Sequence, residues 1–322
     1  MSDRPGPAEV QRVFLGEPPR HNRRALAAAA GVRPELAERL WRALGFATLA
    51  DDAVAFTDAD LDALRRVGAM LEAGLLDETT VLRMARALGR TTARLAQWQT
   101  EIMVGALLDP NERPGDADLA RLVEAARLLL PDFERMLVHV WRAQLAASAG
   151  RLLALADDAP PHRLTLAVGF ADLVSFTRVS RELDELALAE LVEGFEERAS
   201  DVVAQHGGRL VKTLGDEVLF TAADPEVAAR MTLDLVDALG RGDPGVRIGL
   251  AYGPVLPVMG DVFGTTVNLA ARLTAIARPG SVIADSALAE AVIGRPGIDV
   301  VKIRRRPARG LGVVQPYVLR RP

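Results

Sequence analysis

Three short stretches of the chain hold residue types in spacings that could do chemistry. In Phe170-Ala171-Asp172-Leu173-Val174-Ser175-Phe176-Thr177 an apolar run ends on a carboxylate where the chain turns toward a helix. In Lys212-Thr213-Leu214-Gly215-Asp216-Glu217 a second carboxylate sits in a Gly-Asp turn between two apolar runs. Each alone has an ordinary structural use, since aspartates cap helices and Gly-Asp turns join hairpins. If neighbouring strand ends bring Asp172 and Asp216 to one sheet edge, the pair could hold hard divalent cations whose remaining ligands are water and phosphate. The third stretch is Gly260-Asp261-Val262-Phe263-Gly264-Thr265-Thr266-Val267-Asn268-Leu269-Ala270-Ala271-Arg272. There Asn268 and Arg272 stand four apart on one helix face, with Leu269 and Leu273 on the neighbouring apolar face. The joint order of the three says more than any one residue in it.

Composition limits what else these groups could be. The chain has 322 residues, enough for about two domains with real cores. With 39 Lys and Arg against 43 Asp and Glu, its net charge of −4 is too mild to mark a nucleic-acid binder. Cysteine is absent, which excludes disulfides, thiolate nucleophiles and cysteine zinc sites, and there are only four histidines. Any metal is therefore expected to be a hard cation held by carboxylates. No stretch approaches the roughly 18 uninterrupted apolar residues that span a bilayer. Residues 25–32, behind Arg23 and Arg24, lack the leucine-rich segment of a signal peptide and begin well inside the chain. The sequence reads as a soluble cytoplasmic protein with no membrane partner.

The elements that must position these groups fall into two halves. From Ala25 to about Ala156 apolar residues recur at helical period, with stops expected at Gly31, Gly45, Gly74 and Gly89. Thr57-Asp58-Ala59-Asp60 resembles a capping box and opens a helix with Leu61, Leu64 and Leu71 inward. A second helix follows Asp77, and a third runs through Leu95 and Trp98 to Leu108. Residues 119–156 are strongly helical apart from Pro131, which is expected to kink or break them. They read either as a connector carrying motion between domains or as an ordinary bundle helix. Asp157-Asp158-Ala159-Pro160-Pro161 cannot continue a helix, and the boundary is placed there, between a helical domain at 1–157 and a second domain at 164–322.

Beyond that point the rhythm is mixed. Strands are expected at 164–170, 209–214, 217–222, 246–252 and 281–284, helices at 185–205, 226–239 and 267–277, and a terminal hairpin over 300–319. This is an α+β order with hairpins, unlike the strict alternation of a doubly wound sheet.

From about Leu164 onward, roughly half the chain, the sequence resembles the class III nucleotidyl cyclases: six polar positions of that family's motif stand in order. The resemblance implies a ferredoxin-like βαββαβ catalytic domain. It implies that Asp172 and Asp216, with the Leu173 carbonyl, bind two Mg²⁺ or Mn²⁺ ions per active site. Lys212 and Asp261 would read the purine, Asn268 would orient the ribose, and Arg272 would neutralise the transition state. Phe170, Ser175, Phe176 and Thr177 would line the substrate, with backbone amides from Leu173 to Phe176 cradling the terminal phosphates. Arg309, in the basic cluster of Lys302, Arg304, Arg305 and Arg306, resembles a residue that contacts the triphosphate. The family works as a head-to-tail dimer, with metal ligands from one chain and the other four residues from its partner, so a chain holding all six is expected to form a homodimer with two equivalent sites.

The residue chemistry of the purine pair agrees with that implication. Adenine offers an acceptor at N1 and a donor at its amine, which a lysine and an aspartate complement; guanine presents the reverse and mispairs both. The expected reaction is adenylate cyclase chemistry, giving cyclic AMP and pyrophosphate from ATP.

Two other readings stay open. Leu214-Gly215-Asp216-Glu217-Val218 also resembles the Gly-Gly-Asp-Glu-Phe signature of diguanylate cyclases, although Leu214 replaces its first glycine. Residues 24–32 followed by 35–45 resemble a helix-turn-helix, as in a DNA-binding regulator; Glu35 and Glu38 beside Arg39 and Arg42 argue against it, making nucleic acid an unlikely partner. The stretches at 41–46 and 56–60 resemble the N-terminal domain of soluble bacterial cyclases that inhibit their catalytic half in a pH-dependent way. His139 and His162, flanking the connector, are then candidate titrating groups.

Overall fold

The computed structural model describes residues 5–47, 49–109, 112–155, 164–239, 244–308, 310 and 312–322. Contacts divide the chain into two compact units, Met1–Ala147 and Ser148–Pro322. The proline-rich boundary expected at 157–161 lies outside the described residues.

The helices of the first half are α1 (Pro7–Leu15), α2 (Arg23–Ala30), α3 (Pro34–Ala43), α4 (Asp58–Glu72), α5 (Glu78–Leu107) and α6 (Asp116–Leu155). The expected capping box is present at α4: the Thr57 side chain accepts from the Asp60 amide, and the Asp60 carboxylate accepts from the Thr57 amide at 2.8 Å. Leu26, Leu36, Leu40, Phe56, Leu61, Leu64, Val81 and Leu82 form the core, with Leu71 and Trp41 packed at its margin.

Two expectations fail in this half. The second and third helices are one, α5, and Gly89 is not a stop. A Cβ at Gly89 would lie 2.2 Å from the Leu44 carbonyl oxygen, so this glycine lets the end of α3 approach the α5 backbone. Pro131 does not break α6, which runs through it for 40 residues, about 60 Å at helical rise. The missing amide deprives the Arg127 carbonyl of its donor, and water can replace it because every residue from 131 to 150 is exposed.

A short turn does join α2 to α3 as in a helix-turn-helix, but the basic residues there are paired. Arg33 and Arg39 both bind Glu78, and Arg42 binds Glu38. His21 donates to or accepts from Asp58 at 2.7 Å. His139 is exposed on α6, and His162 lies outside the described residues.

The second unit continues with β1 (Leu164–Leu173), α7 (Phe176–Glu182), α8 (Glu185–Gln205), β2 (Arg209–Thr213), β3 (Glu217–Ala222), α9 (Pro225–Leu239), β4 (Val246–Val258), β5 (Asp261–Phe263), α10 (Thr265–Ile276), β6 (Val282–Ala284), α11 (Ser286–Val292), β7 (Asp299–Lys302), β8 (Arg306–Ala308), β9 (Gly312–Val314) and β10 (Tyr317–Arg320). The main sheet runs β2-β3-β1-β4-β6-β10-β7, with β5 beside β4. Its first four strands are antiparallel and, with α8 and α9, make the ferredoxin-like βαββαβ core. The expected terminal hairpin is the β7–β10 pair, with β8 and β9 forming a smaller hairpin inside it. The helix expected after Asp172 is α7, and patterning missed the short β5 and α11.

The two sheet faces are covered unequally. On one, Ala167, Ala171, Phe220, Ile248 and Leu250 pack under Phe195, Val203, Met231 and Leu235 of α8 and α9. On the other, Val168, Phe170, Leu219 and Ala251 pack under Ala270 and Leu273 of α10. Gly249 permits that seat: a Cβ there would lie 2.1 Å from the Thr274 nitrogen.

Candidate active site

The face under α10 carries the polar groups. Antiparallel register sets Asp172 of β1 opposite Glu217 of β3 on one side and Arg247 of β4 on the other. Directly opposed residues share a face, so the three side chains gather at one sheet end. Arg247 donates to Asp172 Oδ2 from Nε at 2.6 Å and lies 2.5 Å from it through Nη2. Asp216 sits in the turn before β3, where its carbonyl accepts from the Leu173 amide at 2.9 Å. That bond ties the backbones of the two carboxylate-bearing segments together.

The charges crowd one another. Burial pushes the Asp172 carboxyl above its usual range, Arg247 pulls it back, and Asp216 adds to the rise. Glu217 is pushed up to about 7, first by burial and then by Asp172 and Asp216. Three carboxylates facing one arginine leave a deficit of positive charge that hard cations would fill. Among the described residues no group of three or more His, Asp or Glu side chains is placed to hold a metal ion by itself. Two aspartates with a backbone carbonyl therefore fit ions whose coordination is completed by phosphate and water.

Lys212 and Asp261 also meet, although 49 residues apart: Nζ donates to Oδ2 at 2.5 Å. Burial disfavours the Asp261 charge, but the Lys212 hydrogen bond and the Val262 amide outweigh it, and the carboxyl titrates below its usual range. Lys212 opposes Leu219, on the same side of β3 as Glu217, so this pair shares the face of the carboxylates.

Asn268 and Arg272 lie elsewhere. Both are exposed on α10, on its side away from the buried Ala270, Leu273 and Thr274. The helix starts where Thr266 bonds the Pro254 carbonyl and runs back over the sheet, so that Thr274 packs on Gly249 and its hydroxyl donates to the Phe170 carbonyl, while Asn268 and Arg272 point away from that contact. Among the described residues Arg272 has no hydrogen-bond or ionic partner.

The remaining predicted contacts divide. The Leu173 amide is bonded to Asp216 and the Val174 amide to the Gly245 carbonyl at 2.7 Å, so neither is free to cradle an anion, contrary to expectation. The amides of Ser175, Phe176 and Thr177 open α7 and have no helical partner. Ser175 holds a left-handed φ of 61°, a strained conformation for a non-glycine residue. The Phe170 side chain is 6% exposed and belongs to the core. Arg309 lies outside the described residues, while Lys302, Arg304, Arg305 and Arg306 are exposed. Sequence reasoning missed Glu217 and Arg247; the first follows Asp216 directly, and the second is visible only through strand register.

A ferredoxin-like sheet with this arrangement of polar groups defines a nucleotidyl cyclase unit, and comparison with known proteins agrees. Residues 161–321 match the adenylate and guanylate cyclase catalytic domain, and residues 9–148 match the adenylate cyclase regulatory domain. An adenylate cyclase of Streptomyces coelicolor is 45% identical, covering 97% of this chain and 89% of that protein. One from Glutamicibacter nicotianae is 36% identical over 97% of this chain and 81% of its own length. A pH-sensitive adenylate cyclase of Mycobacterium tuberculosis is 32% identical over 84% of this chain and 69% of its length. Among solved structures, the adenylyl cyclase CyaB of P. aeruginosa matches at 22% identity and a TM-score of 0.44, over 49% of this chain and 94% of that one. The chain belongs to the adenylate cyclase family. Among the described residues no helix is long and apolar enough to cross a membrane.

Proposed function

We propose that the chain converts ATP to 3′,5′-cyclic AMP and pyrophosphate at two sites shared by a head-to-tail homodimer in the cytoplasm. The observation that carries this reading is the split of the site. Asp172 and Lys212 lie on the sheet face under α10, with Asp216 in the adjoining turn and Asp261 bonded to Lys212, whereas Asn268 and Arg272 face outward from α10. Facing away from the sheet, Asn268 and Arg272 are placed to meet a nucleotide held by a second chain, so each site would take its metal ligands Asp172 and Asp216 from one chain and Lys212, Asp261, Asn268 and Arg272 from its partner.

In the reaction, the ribose 3′-oxygen bonds to the α-phosphorus as the bond to pyrophosphate breaks. Two Mg²⁺ or Mn²⁺ ions held by Asp172, Asp216 and the Leu173 carbonyl would supply charge that lowers the 3′-OH pKa and neutralises the triphosphate. Arg247 orients Asp172 through its two contacts on one oxygen. The amides of Ser175, Phe176 and Thr177 receive terminal phosphate oxygens. Lys212 donates to adenine N1 and Asp261 accepts from the amine, while guanine leaves both mispaired at about 1–3 kcal/mol each. Arg272 offers a permanently charged fork to the α-phosphoryl oxygens, and Asn268 holds the ribose.

The N-terminal unit, assigned to residues 1–157 with its connector at 119–156, regulates the catalytic unit at 164–322. The match to a cyclase regulatory domain supports this. A cyclase assay with Mn²⁺ and either ATP or GTP tests the reading. Cyclic AMP from ATP supports it; cyclic di-GMP from GTP would overturn it in favour of diguanylate cyclase chemistry.

A further inference from the structure

We infer that Arg209 is a positioning residue for base selection: it clamps the β4–β5 turn so that Asp261 faces Lys212. The inference rests on the adenine-reading role proposed for that pair.

Asp261 follows a two-residue hairpin turn, closed by the pairing of Val258 with Asp261. Met259 and Gly260 both have left-handed backbones, with φ of 51° and 83°. For Met259 that conformation is costly and persists only when its surroundings impose it. Beyond the strand pairing, β2 braces the turn from the side. Arg209 Nη2 donates to the Gly260 carbonyl at 2.6 Å, and Lys212 Nζ donates to the Asp261 carboxylate at 2.5 Å. The turn is thus held at two adjacent residues by two cations of one strand. The Arg209 charge also helps keep the Asp261 carboxyl ionised, leaving both oxygens as acceptors for an amine.

Strand geometry alone would not allow this. Residues three apart on a regular strand point to opposite faces. Here the β2–β3 register shifts between Leu210 and Lys212, so that Arg209 opposes Thr221 while Lys212 opposes Leu219. Thr221 and Leu219 are two apart on β3 and share a face. The bulge at Val211 therefore brings Arg209 and Lys212 to the same side, and both reach the turn. Because its hydrogen bond goes to the Gly260 backbone, Arg209 acts on base selection through Asp261.

The test compares Arg209→Met, which keeps the aliphatic stem, and Arg209→Lys, which keeps the charge, in the full chain. Hydrogen exchange across residues 259–263 is measured without nucleotide, and kcat and KM are measured with Mn-ATP and Mn-GTP. For Arg209→Met, exchange in that segment is expected to rise about tenfold or more with the remaining segments unchanged, as expected when one such hydrogen bond is lost. Its KM for ATP rises, kcat stays within about twofold, and the ATP over GTP preference falls about fivefold to tenfold. Arg209→Lys restores most of the preference. A general loss of fold would instead lower kcat and thermal stability together, without selective exchange. Unchanged exchange, or unchanged preference in an active Arg209→Met protein, would overturn the clamp. A wild-type chain that makes no cyclic AMP refutes the proposed function, and the exchange comparison still decides the clamp.

Discussion

Gly249 is one point where sheet and catalytic helix touch most closely, and adding one methyl group there tests how tightly the fold sets Arg272. A Cβ at Gly249 would lie 2.1 Å from the Thr274 nitrogen and 2.4 Å from the Ala270 carbonyl oxygen. Real Cβ atoms essentially never come within 3.0 Å of such atoms, so the α10 backbone must retreat by about 1 Å. Neither obstacle is a flexible side chain that could swing aside. Asn268 and Arg272 ride on this helix, and a displacement of about 1 Å at a catalytic group can lower turnover about 100-fold. Overpacking of this size also costs about 1–3 kcal/mol, lowering the melting temperature of the catalytic unit by several degrees. The assay is kcat for cyclic AMP formation by Gly249→Ala at a temperature where the variant is fully folded. Gly194→Ala on α8 is the control, since its Cβ would meet only the flexible end of Arg198 at 3.4 Å. A folded Gly249→Ala protein with wild-type kcat would refute the claim that this contact positions Arg272.

Other consequences follow from the charges and the helices. Glu217 has its carboxyl raised from 4.5 to about 7, so its contribution to stability is fully present below pH 4.5 and is lost as pH rises through 7. The full rise corresponds to about 3.4 kcal/mol, and partial solvation reduces it to about 1–2 kcal/mol. Glu217→Gln should therefore stabilise the metal-free protein by that amount at pH 8 and hardly at all at pH 4.5, in denaturant titrations; an equal gain at both values contradicts the crowding of Glu217 with Asp172 and Asp216. For the N-terminal unit, specific activity of the full chain and of a truncated chain beginning at Pro161 is compared from pH 5.5 to 8. The full chain should be less active over part of that range, and equal activities throughout would contradict regulation by residues 1–157.

Local features of the fold were legible where a residue type has one dominant physical use. The capping box at Thr57 and Asp60, the Gly215-Asp216 turn and the shared face of Asn268 and Arg272 depend only on neighbours in sequence. What escaped depends on partners far along the chain. Arg247 lies 75 residues from Asp172, and only strand register pairs them. The bulge at Val211 leaves no mark in composition, yet it decides which face Arg209 takes. Gly89 looked like a helix stop because a glycine inside a helix is costly; the approach of Leu44 supplies the reason it is there. Pro131 is tolerated because the surrounding stretch of α6 is exposed and water can satisfy the carbonyl it orphans. The amides of Leu173 and Val174 looked available from the turn toward a helix, and cross-strand partners had already taken them.

The central claim is that each site is assembled from two chains, and complementation tests it most directly. Asp172→Ala removes a metal ligand from one side of a shared site, and Arg272→Ala removes the transition-state cation from the other. Each variant alone is predicted to be inactive. Co-expressed in equal amounts, they pair at random; about half the dimers are mixed and each of those retains one intact site, so cyclic AMP production from ATP should return to about a quarter of the wild-type level. Activity in the mixture no higher than in either variant alone, with mixed dimers demonstrated, would contradict the shared site.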